Sequence, residues 1–193
     1  MARTKEFDPD AALRAALELF WERGYEATSM SDLVGHLGIG RASIYATFGS
    51  KHELYLKALD RYGELVDPGL LDELSQPGPT LPAIRALLRR FAAEAGSDRR
   101  TRGCFVTNTA AELAAHDRDA ARRVEASWDH LETLLHSALV RAGAQGELPA
   151  GREPRALARL LVVLMQGVRV VGKATADPAR VRDAVEQALA LLD

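Results

Sequence analysis

The chain has 193 residues, 47% of them hydrophobic and 6% aromatic, and a formal net charge of −2. That hydrophobic content excludes a disordered chain, and the near-neutral charge excludes a polyanion binder that works by bulk charge alone. A single cysteine, Cys104, excludes an intrachain disulfide and fits a reducing cytoplasm, where the protein is expected to reside.

The opening MARTKEFDPD lacks the apolar core of a signal peptide. Asp8-Pro9 reads as a helix start, with Asp as the cap and Pro at the first helical position. Ala12, Leu13, Ala16, Leu17 and Phe20 then recur at helical spacing until Gly24. Ser29 caps a second, short helix, MSDLVGHL, with Asp32 as its capping-box partner, and Gly38 stops it. After Ile39-Gly40 comes a third short helix, RASIYATF, and Gly49-Ser50 opens a fourth that carries Leu54, Ala58, Leu59, Tyr62 and Leu65, with a kink or break expected at Pro68.

SQPGPTLP, residues 75–82, is the clearest break in the chain. Beyond it the pattern predicts a helix over 83–95, a charged loop GSDRRTRG, a helix over 104–116, a long helix from the Asp117 cap to Ala142, and two closing helices, Glu153 to Ala174 and Pro178 to Leu192. The most apolar run, LARLLVVLMQGVRVVG, is interrupted by Arg159, Gln166 and Arg169 and is too short to span a bilayer, so no membrane association is expected. No segment alternates as a strand does. The fold class is therefore all-α, in two parts, compact short helices in front and longer helices behind. Residues 1–50 form the first, a fourth helix over 51–74 connects, and residues 75–193 form the second.

The helix-turn-helix reading comes from the second and third helices, two short segments joined by a tight glycine turn. Ile44 and Phe48, four residues apart, join Leu33, Val34, Leu37 and Ile39 in a small core. Ala42, Ser43 and Ala46 then lie on the opposite face, with Arg41, Tyr45 and Thr47 along its edges. Small side chains let a backbone approach a groove floor, and an alanine methyl can touch a thymine methyl. From Leu33 to His52 there is no Asp or Glu, while His36, Arg41, Lys51 and His52 are all present. A buried helical hairpin would share the skeleton but has no use for the acid-free window.

The segment from Phe20 to Leu54, FWERGYEATSMSDLVGHLGIGRASIYATFGSKHEL, resembles the DNA-binding domain of the TetR family of bacterial transcriptional regulators. The shared pattern is an aromatic and RGY at the end of the first helix, then T-S-x-x-D-L and G-I-x-x-x-S-I-Y-x-x-F-x-S-K-x-x-L. The resemblance implies that Thr28 and Ser29 contact phosphate, that Arg41, Ala42, Ser43, Tyr45 and Thr47 lie at the DNA, and that Lys51 anchors the backbone. Two positions depart from the family: Gly40 stands where Ser is usual, which removes a side-chain cap, and Thr47 where His or Tyr is common.

In this family the later helices sense a ligand and form a dimer, so the resemblance implies an N-terminal three-helix helix-turn-helix DNA-binding domain followed by a larger helical ligand-binding and dimerisation domain. In the helix from Glu153, Leu157, Leu161, Leu164, Val168 and Val171 make one apolar face, and Leu160, Val163 and Gly167 a second. A helix apolar on two faces needs two packing partners, of which a second copy of the chain is one, with Val181, Val185, Ala188 and Leu192 of the last helix beside it. A larger monomeric bundle is the alternative. Expected partners are thus a double-stranded DNA operator, a small-molecule inducer of unknown identity and a second subunit. Phe91, Phe105, Trp128, Leu131 and Met165 are apolar candidates for the inducer pocket, and Cys104, Asn108, His130 and Gln166 polar ones; each apolar residue also serves as plain core. Cys104 follows a basic loop, a setting that suits a redox- or electrophile-sensing thiol as well as a packing one.

A small all-α enzyme is disfavoured. The sequence has no H-E-x-x-H pattern, phosphate loop or nucleophile elbow, so no catalytic residue, metal or cofactor is assigned. The expected function is a dimeric, sequence-specific DNA-binding regulator, a repressor released from a palindromic operator by a small molecule. The alternatives are a regulator acting through Cys104 and a helical interaction module that no longer binds DNA.

Overall fold

The computed structural model describes residues 7–95 and 102–193. In chain order the helices are α1 (Pro9–Arg23), α2 (Met30–Leu37), α3 (Arg41–Phe48), α4 (Lys51–Ser75), α5 (Thr80–Ala95), α6 (Phe105–Glu112), α7 (Arg118–Ala144), α8 (Pro154–Ala174) and α9 (Ala179–Leu189), which ends in a 3-10 turn. No strand occurs among the described residues. The fold is all-α, with a helix-turn-helix in front and a larger helical body behind.

The caps explain most of the boundaries. Asp8 accepts from the Asp10 amide ahead of Pro9, and Ser29 with Asp32 and Ser50 with Glu53 form complete capping boxes. Asp117 and Glu153 cap α7 and α8 with their carboxylates alone, which accept from the Asp119 and Ala120 amides and from the Arg155 and Ala156 amides. Apart from shifts of one to three residues at the ends of α7, α8 and α9, the structure differs from the sequence reading in three places. Helix α4 continues through Pro68 without a break. Helix α5 begins at Thr80, three residues early, because Pro82 falls in its first turn, where no backbone N–H is required. Helix α6 ends at Glu112, ahead of a short turn to the Asp117 cap.

Two hydrophobic cores fill the molecule. The rear one is built from α5, the second half of α7, α8 and α9, with Leu70 and Leu74 from the end of α4. The front one joins α1, Leu33, Ile44 and Phe48 to the first half of α4. It draws on more than residues 1–50, since Phe105, Val106 and Leu113 of the α6 region and Ala120 and Val124 of α7 belong to it. Val66 and Trp128 pack against both cores.

Helix α6 is fastened to the front helices at several points. The Glu112 carboxylate accepts from the Tyr25 amide at 3.0 Å and the Glu26 amide at 2.8 Å, where α1 has ended. Tyr55 and Thr109 share a buried hydrogen bond of 2.8 Å, and Trp21 Nε1 donates to the Gly103 carbonyl at 3.2 Å. Rings of Phe20, Tyr25, Tyr55, Tyr62 and Phe105 pack edge to face around these bonds. At the foot of the Glu112 bridge, Gly24 has φ 85° and ψ 174°, a conformation that essentially only glycine adopts. A methyl group there would also lie 2.8 Å from the Glu112 carboxylate. Gly24→Ala is therefore expected to destabilise the protein by about 1–3 kcal/mol from backbone strain alone, measured by urea denaturation.

Candidate nucleic-acid interface

Helix α3 is held by very little and presents almost everything else. Ile44 is fully buried and Phe48 is 5% exposed, whereas Arg41, Ala42, Ser43, Tyr45 and Ala46 are exposed and Thr47 is half-buried. The spacing of Ile44 and Phe48 puts them one turn apart on a single face, so the small residues must point outward. Gly38, at φ 67°, ends α2 in the left-handed conformation and turns the chain into α3. The far end of α3 is secured by Lys57, whose ammonium donates to the Phe48 carbonyl at 3.1 Å. Sequence reasoning gave Lys57 no role; a lysine nearly two turns into α4 carries no pattern that marks it.

The electrostatics favour an anion. The acid-free window is bracketed by Asp32 and Glu53, and both carboxylates are turned back onto helix N-termini as capping-box acceptors. The Ser29 hydroxyl and then its amide hold the Asp32 carboxyl below the usual range. Lys51 sits with its ammonium 4.1 Å from the centre of the Tyr25 ring, which orients it at the start of α4. His52 Nε2 lies 2.5 Å from an Asp117 oxygen. Burial opposes ionisation of Asp117, but the Ala120 amide and His52 outweigh it and lower its pKa.

The residues read from the sequence do not all share this surface. Arg41, Ala42, Ser43, Tyr45 and Thr47 lie on α3, all exposed except the half-buried Thr47, while Lys51 lies at the start of α4 against the Tyr25 ring. Thr28 does not reach this surface: it is fully buried, and its hydroxyl donates to the Gly24 carbonyl at 2.7 Å, which closes the turn after α1. Ser29 is exposed, with its hydroxyl engaged by Asp32. The bonds from Tyr25, Tyr55 and Glu112 that support the site have no local sequence signal, since Glu112 acts on residues more than eighty positions away.

In the rear body, Phe91, Cys104, Trp128, His130, Leu131 and Gln166 line one cavity, whereas Phe105, Asn108 and Met165 lie outside it. Phe105 is buried against Tyr55 and Tyr62, Met165 is fully buried in the rear core, and Asn108 bonds the Arg102 carbonyl. Cys104 is half-buried at the start of α6, and the Tyr62 hydroxyl donates to its sulfur at 3.6 Å. Burial, then the thiol, pushes the Tyr62 phenol up, so it stays protonated. Of the basic loop before Cys104, residues 96–101 lie outside the described residues; Arg102 is paired with Glu18.

The apolar residues expected at a subunit contact divide by burial. Leu161, Val168, Val181, Val185 and Leu192 are committed to the chain's own core, and Leu157 and Leu164 pack partly against it. Leu160, Val163, Val170 and Val171 are exposed, Val163 to 69%. Among the described residues no helix is long and apolar enough to cross a membrane, and no His, Cys, Asp and Glu cluster forms a metal site.

Comparison with known proteins agrees with this geometry. Residues 12–58 match the family described as bacterial regulatory proteins, tetR family, and residues 80–188 match the tetracyclin repressor-like C-terminal domain. The chain is 38% identical over 194 residues to the HTH-type transcriptional regulator YezE of Bacillus subtilis, covering 100% of both. It is 34% identical over 172 residues to the HTH-type transcriptional repressor ComR of Escherichia coli, covering 87% of this chain and 80% of ComR. A cysteine mutant of the TetR family regulator CifR, solved in complex with 26 bp double-strand operator DNA, aligns at 30% identity with a TM-score of 0.83, covering 100% of both chains.

The absent cap of α3 yields a direct test of the local account. Gly40 has ordinary dihedrals, φ −64° and ψ 147°, and a Cβ built there meets nothing within 4 Å. Gly40→Ser is expected to stabilise the protein by about 0.3 kcal/mol through a new N-cap bond, seen as a small rise in Tm.

Proposed function

The chain belongs to the TetR family of bacterial transcriptional regulators and is not an enzyme; we propose that it is a dimeric repressor released from a palindromic operator by a small molecule. The observation that carries the DNA-reading part is the exposed face of α3, where small side chains flanked by Arg41 and Tyr45 stand above two buried anchors. Ala42, Ser43 and Ala46 would meet base edges, while Tyr45, Thr47 and Lys51 would meet phosphates, with Arg41 at a guanine edge or a phosphate. Ser29 would approach a phosphate from the start of α2, and for Thr28 the turn it closes supports a positioning role in place of a contact. The action is on chromosomal DNA, hence cytoplasmic.

One short recognition helix makes few contacts, so two copies about one turn of DNA apart are needed to read a palindrome. The exposed Leu160, Val163, Val170 and Val171 on α8 offer the surface for a second copy. The division is then residues 1–50 for DNA, with α4 as the connection and residues 75–193 for the ligand and the dimer. The inducer would enter the rear cavity and alter the spacing of the two front domains by acting on α4 and α6.

Gel shift against the DNA flanking the gene is expected to show sequence-specific binding that weakens steeply with salt. Tyr45→Ala is expected to cost about tenfold in affinity, and Arg41→Ala to lower the salt slope by about 1 if Arg41 holds a phosphate. Absence of specific binding at low salt would identify an interaction module instead. Val163→Asp leaves the chain's own core untouched and is expected to convert a dimer to a folded monomer in sedimentation; a wild-type monomer at micromolar concentration refutes the dimer.

A further inference from the structure

We propose that the rear body binds a small apolar carboxylate, whose oxygens accept from the indole of Trp128 and the guanidinium of Arg169. This rests on the reading of that body as the effector-binding part of the regulator. Between α4, α5, α7, α8 and the start of α6 lies a cavity of about 60 Å³, lined in part by Tyr62, Val66, Phe91, Trp128 and Arg169. A wider pocket of about 290 Å³ adjoins it and shares Val66, Leu70, Phe91 and Arg169. An apolar cavity of about 150 Å³ holds benzene, so the inner space is of headgroup size, and the wider one holds the remainder against Val66, Leu70 and Phe91, with Glu73 and Arg90 also in its wall.

The polar atoms of the wall select the headgroup. Trp128 Nε1 and Arg169 Nε are buried and have no hydrogen-bond partner among the described residues. Both groups only donate, and a buried donor left unpaired is destabilising. A bound molecule therefore has to bring acceptors, and an ammonium group brings none. No Asp or Glu lines the inner cavity, and Arg169 is its one permanently charged side chain among the described residues.

The carboxylates nearby balance the guanidiniums in formal charge but engage Arg169 only through a terminal nitrogen, which leaves its Nε donor unanswered. Arg169 reaches Glu94 at 3.2 Å, but Glu94 is also bound by Arg90 at 3.0 Å, and Glu73 pairs with Arg90 at 2.5 Å. The Arg169 guanidinium lies 4.2 Å from the centre of the Phe91 ring, which fixes its position at the cavity. A charge-assisted bond to a carboxylate is roughly twice as strong as one to a neutral carbonyl. Trp128 packs on both cores, so a ligand bonded there loads the junction between the front and rear of the molecule.

The test is calorimetric titration of the full chain with butanoate and with benzoate, each beside its methyl ester. At least one acid is expected to bind saturably and about tenfold more tightly than its ester. Trp128→Phe and Arg169→Gln, checked for a cooperative thermal transition, are each expected to remove most of that preference. Equal affinity for acid and ester, or no binding of either acid, overturns the proposal. A second arm adds the same acids to the operator complex. An acid that binds but leaves that complex intact supports the ligand class and refutes release; an operator-binding protein that binds neither acid refutes the ligand class alone.

Discussion

The two hydrogen bonds from the Glu112 carboxylate to the Tyr25 and Glu26 amides decide how the rest of the molecule is organised. They satisfy backbone donors left over where α1 ends, and they do so with a side chain from α6. The front helices are thereby fixed to an element that also carries Cys104 and Val106 on the wall of the rear cavity. The buried Tyr55–Thr109 bond and the Trp21–Gly103 bond add to the same attachment. A recognition helix with two buried anchors has little rigidity of its own; its placement is inherited from α4 and, through α4, from α6. On the proposed reading, a shift of α6 would move α4 and with it α3, which is the property a ligand-controlled DNA reader requires.

The connection runs deeper into the rear body. Thr107 donates to Gln166 of α8 at 2.7 Å, and Lys173 to Asn108 at 3.3 Å. Helix α6 therefore bonds to the front helices on one side and to α8 on the other. Because α8 also carries the exposed valines, the surface proposed for a second copy and the cavity share a single helix. The proposed ligand cavity, subunit surface and DNA-reading helix are thus linked through α6 and α8 by a handful of named bonds.

Much of this was legible in the sequence, and the reason differs from element to element. Asp8-Pro9, Ser29 with Asp32 and Ser50 with Glu53 act within three residues, so the capping pattern and the structure agree residue by residue. The anchors Ile44 and Phe48 were legible from their spacing for the same reason. Thr28 was not: a threonine beside a helix cap looks available to a phosphate, and only the folded turn reveals that Gly24 takes its hydroxyl. The second face of α8 was visible as a pattern, yet which face turns inward depends on α5 and α7, and burial reassigns Leu161 and Val168 to the core. Glu112, Tyr55 and Lys57 had no signal at all, because each acts on a residue distant in sequence or on a backbone atom. The cavity was legible only in part, since Phe105 shares its residue type with the lining Phe91, and Met165 is as apolar as the lining Leu131, so that only position separates them.

The outward face of α3 is the claim on which the functional account turns. Its chemistry is modest: methyl groups, a hydroxyl, a phenol and a guanidinium, with neighbouring carboxylates drawn away into caps. Such a surface gains specificity by being duplicated at a fixed spacing, so the arrangement on DNA is what has to be observed. Hydroxyl-radical footprinting of the DNA flanking the gene measures it most directly. The account predicts two protected half-sites related by a twofold axis, with centres about 34–36 Å apart. A single protected patch, or uniform protection without sequence preference, would contradict it.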